Sequence, residues 1–191
     1  MAQLYFNYAA MNAGKSLDLL KSAENYTERG MGVLLLKPSI DTRDNGIKSR
    51  VGLSREANIV TPDMNLFEFY KWAATQRDIH CVFVDEAQFL THKQVTELCN
   101  VVDKYSCPVL CYGLRTDFQG NLFEGSKALL GLADKLEELK AVCHCGRKAT
   151  MTARIREDGS PITSGCQVEI GGNDTYTSLC RKHWNELTGI L

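Results

Sequence analysis

Ala9-Ala10-Met11-Asn12-Ala13-Gly14-Lys15-Ser16 follows directly on the strand-like stretch Gln3-Leu4-Tyr5-Phe6-Asn7-Tyr8. It runs into a segment, from about Lys15 to Glu28, with Leu17, Leu20, Ala23 and Tyr26 at helical spacing. A strand, a loop ending in Gly-Lys-Ser and then a helix is the arrangement of the phosphate-binding pattern G-x-x-x-x-G-K-[ST]. Backbone N–H groups of residues Ala9 to Ser16 would wrap phosphates, and the positive end of the helix dipole adds to the attraction. Lys15 would reach the β- and γ-phosphates of ATP and Ser16 would ligate Mg²⁺. Ala9 stands where the pattern has its first Gly, which a negative φ at that position accommodates.

Further along, Cys81-Val82-Phe83-Val84 is apolar throughout and ends in Asp85-Glu86. An Asp at the end of a buried strand can hold the Mg²⁺ of a nucleotide bound by the first loop. If the strand continues, the adjacent Glu points to the opposite side, where it can accept a proton from an attacking hydroxyl. Val33 to Leu36 and Val109 to Tyr112 are two more short apolar runs, and helical spacings over 65–75 and 95–102 separate the runs. Residues 41–58 are polar and read as a loop. Apolar strands alternating with amphipathic helices specify an α/β fold: a P-loop, mostly parallel sheet with helices on both faces. The pattern changes after about Asp134, which divides the chain into a nucleotide-binding unit (1–135) and a smaller second unit (136–191).

Lys and Arg (22) balance Asp and Glu (23), so no basic surplus is available to hold nucleic acid. No apolar run approaches the ~20 residues that span a bilayer, and the N-terminus lacks the features of a signal peptide. The expectation is a soluble cytoplasmic protein without membrane or nucleic-acid partners. In a reducing compartment, cysteines serve as buried thiols or metal ligands. Cys81, Cys99 and Cys111 lie in apolar segments and read as core residues. Cys143-His144-Cys145 and Cys180-Arg181-Lys182-His183 form two ligand pairs, and three thiolates plus an imidazole (Cys143, Cys145, Cys180, His183) suit structural Zn²⁺. His144 and Cys166 stand as alternative ligands.

Met-Asn-Ala-Gly-Lys-Ser (11–16), Asp-Thr-Arg (41–43), Asp-Glu-Ala-Gln-Phe (85–89), Gly-Leu-Arg-Thr-Asp-Phe (113–118) and Cys-Arg-Lys-His (180–183) occur in that order. Taken together they resemble type II thymidine kinases, above all those of enteric bacteria and large tailed phages. The resemblance implies transfer of the ATP γ-phosphoryl group to the 5′-hydroxyl of thymidine, a homotetramer and feedback inhibition by thymidine triphosphate. It makes Glu86 the catalytic base, places Asp85, Glu86, Ala87 and Gln88 in the ATP site, and adds Asp41 and Arg43 near the phosphates. It also implies a substrate lid over 147–179. Gln167, Val168, Glu169, Ile170, Gly171 and Tyr176 from that lid would hold the base, together with Met11, Phe89, Leu114, Phe118 and Phe123. The short Cys-x-Cys form of the first zinc pair is similar to that of the enteric members. Small apolar contacts to the 5-methyl group imply that deoxyuridine is a poorer but real substrate.

Overall fold

In the computed structural model, which describes residues 1–40, 46–168 and 176–191, the apolar runs form the centre of a sheet. The chain runs β1 (Leu4–Ala9), α1 (Lys15–Thr27), β2 (Val33–Pro38), a hairpin of β3 (Gly46–Lys48) and β4 (Ser54–Glu56), then β5 (Asn58–Val60), α2 (Leu66–Gln76) and β6 (Cys81–Val84). A single 3₁₀ turn (Ala87–Phe89), α3 (His92–Tyr105), β7 (Val109–Leu114), α4 (Glu124–Leu132) and β8 (Lys135–Glu138) follow. Six strands lie side by side in the order β5-β2-β6-β7-β1-β8. Every neighbouring pair is parallel.

Alternation along each strand divides the core in two. Leu34, Leu36, Val82 and Val84 face one way, against Leu66 and Tyr70 of α2, Leu98 and Val101 of α3, and Leu129 of α4. Val33, Leu35, Cys81 and Phe83 face the other way, against Leu19, Leu20 and Ala23 of α1. Strands covered on both faces must be apolar at every position, which explains the unbroken runs. Two helix starts, those of α2 and α3, are capped by side chains. Asn65 accepts a hydrogen bond from the Glu68 N–H at 2.9 Å, and Thr91 with Gln94 forms a reciprocal capping box.

The polar stretch 41–58 is not all loop. Its described part holds the β3–β4 hairpin and the start of β5, which adds a parallel edge strand beside β2. Three-residue strands with one or two inward side chains leave almost no periodic signal. In the hairpin it is Ile47, fully buried against α1, that fixes the inward face. Helix α4 and strand β8 likewise carry too little pattern to stand out. β8 runs from Lys135 to Glu138, across the expected boundary between 135 and 136, and pairs in parallel with β1 at the sheet edge.

The remaining chain forms β9 (Ala141–Val142) with β10 (Lys148–Ala149), then β11 (Met151–Ile155), β12 (Pro161–Ile162) and β13 (Tyr176–Leu179) in a three-stranded antiparallel sheet, and α5 (Arg181–Thr188). Trp184 is the largest side chain of its small core. The Trp184 indole N–H donates to the carbonyls of Phe118 and Thr152, each at 3.2 Å, and so ties this unit to the loop after β7.

Two glycines pinch the 3₁₀ turn that follows β6. A Cβ on Gly125 would stand 2.4 Å from the Ala87 carbonyl oxygen and 2.8 Å from that of Leu90, and one on Gly113 would stand 2.7 Å from Gln88 Oε1. In an unobstructed helix Gly→Ala gains about 1 kcal/mol. Here the clash is with backbone, so Gly125→Ala is expected to lower stability by about 1–3 kcal/mol. Urea unfolding of the two proteins checks the sign, and a more stable variant would mean that α4 sits further from the turn.

Candidate active site

β1 delivers the phosphate loop. Ala9 is its last residue and pairs with Leu114 in ordinary strand conformation, so the missing glycine costs no backbone strain there. The left-handed turns fall instead at Asn12 (φ 64°) and Gly14 (φ 78°), the latter at the entry to α1. Lys15 is buried, and its Nζ donates to the Ala10 carbonyl at 3.1 Å. Burial lowers the pKa of its ammonium, against Glu86 and Asp85, which raise it.

Ser16 Oγ donates to Asp85 Oδ2 at 2.9 Å, across the width of β7. Asp85 is only 3% exposed, and its Oδ1 has no hydrogen-bond partner among the described residues. Burial, and then the charge of Glu86, push its carboxyl up to about 7, against Ser16 and Lys15. A bare, buried carboxylate oxygen beside a serine hydroxyl suits a hard divalent cation with oxygen ligands. Ser16 and Asp85 could hold Mg²⁺ in this way.

Glu86 departs from the strand expectation. β6 ends at Val84, and Glu86 adopts a left-handed φ of 51°. A turn, rather than strand alternation, separates the two acids. The Gln88 amide donates to Glu86 Oε2 at 2.6 Å.

One cavity of about 640 Å³ collects most of these groups. Its lining includes Lys15, Ser16, Asp85 and Glu86 at the phosphate loop. Phe89, Phe118, Phe123 and Tyr176 supply apolar wall, with Phe89 and Phe123 edge to face at 5.7 Å. The volume is ordinary for a small-molecule site.

Away from the cavity, the ligand atoms of Cys143, Cys145, Cys180 and His183 all lie within 4.8 Å of one another. Cys145 and Cys180 Sγ are 3.9 Å apart, and His183 Nδ1 is 3.4 Å from Cys143 Sγ and 3.5 Å from Cys180 Sγ. A tetrahedron with Zn–S of about 2.3 Å and Zn–N of about 2.0–2.1 Å has edges of roughly 3.8 and 3.5 Å, so these three separations match those of a zinc site. Burial acts to raise the Cys143 thiol, but backbone N–H groups of Cys145 and Cys180 and the His183 ring outweigh it and bring the thiol down to about 5. His144 stacks on His183 with ring centroids 4.3 Å apart and has its Nδ1 3.8 Å from Cys143 Sγ, and Cys166 is exposed.

Comparison with known proteins agrees with this geometry. Residues 2–184 match the family model described as thymidine kinase. The chain belongs to the thymidine kinase family. Thymidine kinase of Enterobacteria phage T4 is 66% identical, with both chains covered in full. Thymidine kinase of Mannheimia succiniciproducens is 52% identical over all of this chain and 99% of its own. Thymidine kinase of Salmonella typhimurium is 54% identical over 97% of this chain and 92% of its own.

Among the residues expected in a thymidine kinase site, Met11, Asn12, Ala13, Gly14, Lys15, Ser16, Asp85, Glu86 and Gln88 line the cavity. So do Phe89, Leu114, Phe118, Phe123, Gln167, Val168 and Tyr176. Ala9, Ala10 and Ala87 do not line it; they are buried behind it. Asp41, Arg43, Glu169, Ile170 and Gly171 lie outside the described residues. The cavity also takes in Lys37, Lys48 and Arg50, which sequence reading missed. Arg50, at the tip of the β3–β4 hairpin, donates to Asn12 Oδ1 of the phosphate loop. Only the basic character of 48–55 could have pointed to it.

The state of Asp85 is testable through stability. The folded carboxyl keeps its proton to about 7, whereas an unfolded Asp releases it near ~3.9. The folded chain therefore binds more protons in between, and stability falls as pH rises from ~4 to ~7, then stays at the lower level. Asp85→Asn removes this slope. Its thermal midpoint without ligand is expected to exceed wild type at pH 8, with the gap closing towards pH 4. A gap independent of pH would mean that the buried carboxyl is ionised throughout.

Proposed function

We propose that this chain transfers the γ-phosphoryl group of ATP to the 5′-hydroxyl of thymidine, with Glu86 as the general base. The observation that carries the reading is a single cavity that joins the phosphate loop to an aromatic pocket, with the Glu86 carboxylate on its wall. ATP phosphates would lie against residues 11–16, their charge offset by Lys15. The nucleoside would lie among Met11, Phe89, Leu114, Phe118, Phe123 and Tyr176, with Gln167 and Val168 from the lid. Glu86 then takes the proton of the 5′-hydroxyl as its oxygen bonds to the γ-phosphorus. The bond to the β,γ-bridging oxygen breaks and ADP departs. Mg²⁺ at Ser16 and Asp85 would supply charge neutralisation on the phosphate oxygens.

The same reading assigns Asp41 and Arg43 to the phosphate end and Glu169, Ile170 and Gly171 to the base. It also takes the zinc unit as a substrate lid distinct from the nucleotide-binding unit. Zinc at Cys143, Cys145, Cys180 and His183 would be structural, since four protein ligands leave no open position for chemistry. A homotetramer, inhibition by thymidine triphosphate and a cytoplasmic location rest on the family alone. Among the described residues, no helix is long and apolar enough to cross a membrane.

Phosphoryl transfer from ATP–Mg to thymidine, with deoxycytidine and no acceptor in parallel, tests the reaction. Product is expected with thymidine, and Glu86→Gln is expected to lower kcat by ~10²–10⁴-fold. No transfer from a folded, zinc-loaded sample removes the reading.

Zinc is tested separately by elemental analysis, with about one ion per chain expected from a single four-ligand site. Chelation is expected to release the small core around Trp184, which is only 1% exposed, and to shift tryptophan emission to the red. An unchanged spectrum after complete metal removal would show that the unit holds together without it.

A further inference from the structure

The resemblance that places Gln88 in the ATP site does not describe what its side chain does. Gln88 is 2% exposed. Its Oε1 accepts from the Leu114 backbone N–H at 3.0 Å, and its Nε2 donates to Glu86 Oε2 at 2.6 Å. The amide orientation follows from chemistry. Only an oxygen can face the Leu114 N–H, so the NH₂ group must face the carboxylate. Both ends of the amide are thus engaged, one on the sheet and one on Glu86.

Packing fixes the rest. Gly113 of β7 lets the amide approach so closely that a Cβ there would stand 2.7 Å from Gln88 Oε1 and 3.0 Å from Gln88 N. On the other side, a Cβ on Gly125 would stand 2.9 Å from the Gln88 carbonyl oxygen. The turn is therefore clamped between β7 and α4. Glu86 enters it with φ at 51°, a left-handed conformation that a non-glycine residue keeps only when its surroundings impose it.

We propose that Gln88 is the positioning residue of the base: its amide ties the Glu86 carboxylate to the β7 backbone and fixes its aim into the cavity. Gln88 then acts through Glu86 and not on the nucleotide. A general base must sit within hydrogen-bond reach of its proton, and a locked supporting contact is what holds such a group to within about 0.5 Å. This inference rests on the thymidine kinase reading given above.

The test is steady-state kinetics on Gln88→Met, which keeps the length of the side chain and removes the amide. A misplaced base is expected to lower kcat by ~10²-fold. The KM values for ATP and thymidine are expected to stay within about threefold, the mark of an interaction expressed in the transition state. Glu86→Gln/Gln88→Met is expected to be no slower than Glu86→Gln alone, because the second change acts through a group already lost. Gly113→Ala, which displaces the amide without removing it, is expected to show the same split between kcat and KM and keeps the test open should Gln88→Met not fold. Thermal midpoints and ATP–Mg binding confirm folding of each variant. A tenfold rise in the KM for ATP with kcat retained, or a further loss in the double variant, overturns the inference in favour of direct contact with substrate. If wild type transfers to thymidine and Glu86→Gln is inactive while Gln88→Met matches wild type, the inference falls and the kinase reading stands. If wild type transfers nothing, both fall.

Discussion

A carboxyl group buried to 3% exposure, with one oxygen on a serine and the other without a side-chain partner among the described residues, is the condition around which this structure is arranged. Asp85 can occupy such a place because a buried Lys15 and the N-terminal end of α1 face the same space. They do so because parallel order sets the ends of β6 and β1 at one rim of the sheet with only β7 between them. The apolar strands are the means to this end. Val33 to Leu36 and Cys81 to Val84 can be apolar throughout because helices or the β3–β4 hairpin cover both faces. Polar chemistry is thereby confined to the rim.

The rim also explains how two adjacent acids serve different tasks. In an extended strand Asp85 and Glu86 would point apart by default. Here the chain turns at Glu86, and the separation is set by the clamped 3₁₀ turn. Asp85 faces Ser16, while Glu86 is held by Gln88 at another part of the cavity wall. Backbone strain at such a position is a usual companion of function. Asn12 and Glu86, two of the three described non-glycine residues with positive φ, lie in this site.

Much of this was legible in the sequence, for physical reasons that differ from place to place. Buried parallel strands announce themselves as unbroken apolar runs, and Gly14-Lys15-Ser16 marks the loop because phosphate binding needs those residue types in that order. The candidate metal ligands stood out as cysteines among polar neighbours, with Cys143 and Cys145 35–37 residues before Cys180, and the fold brings them together. The β3–β4 hairpin stayed hidden because one inward side chain, Ile47, cannot make a period. Arg50 stayed hidden with it, since a surface arginine has no signal apart from the turn that carries it. The pinching roles of Gly113 and Gly125 depend on contacts with residues distant in sequence, which no local pattern encodes.

Met11 joins the halves of the molecule more tightly than a cavity shared by two units would require. Its N–H donates to Thr152 Oγ1 at 3.3 Å, and its carbonyl accepts from Ser178 Oγ. Thr152 and Ser178 face each other across β11 and β13, and the next pair on that face of the ladder is Arg154 with Tyr176, which reaches the aromatic pocket. One N–H of the phosphate loop is therefore committed before any phosphate arrives. The loop and the sheet of β11 and β13 are thus joined at Met11 by two hydrogen bonds, and Ala13 of the same loop packs against the core around Trp184. Any shift of Met11 would therefore load both of its bonds and, through the ladder, the Tyr176 end of the cavity.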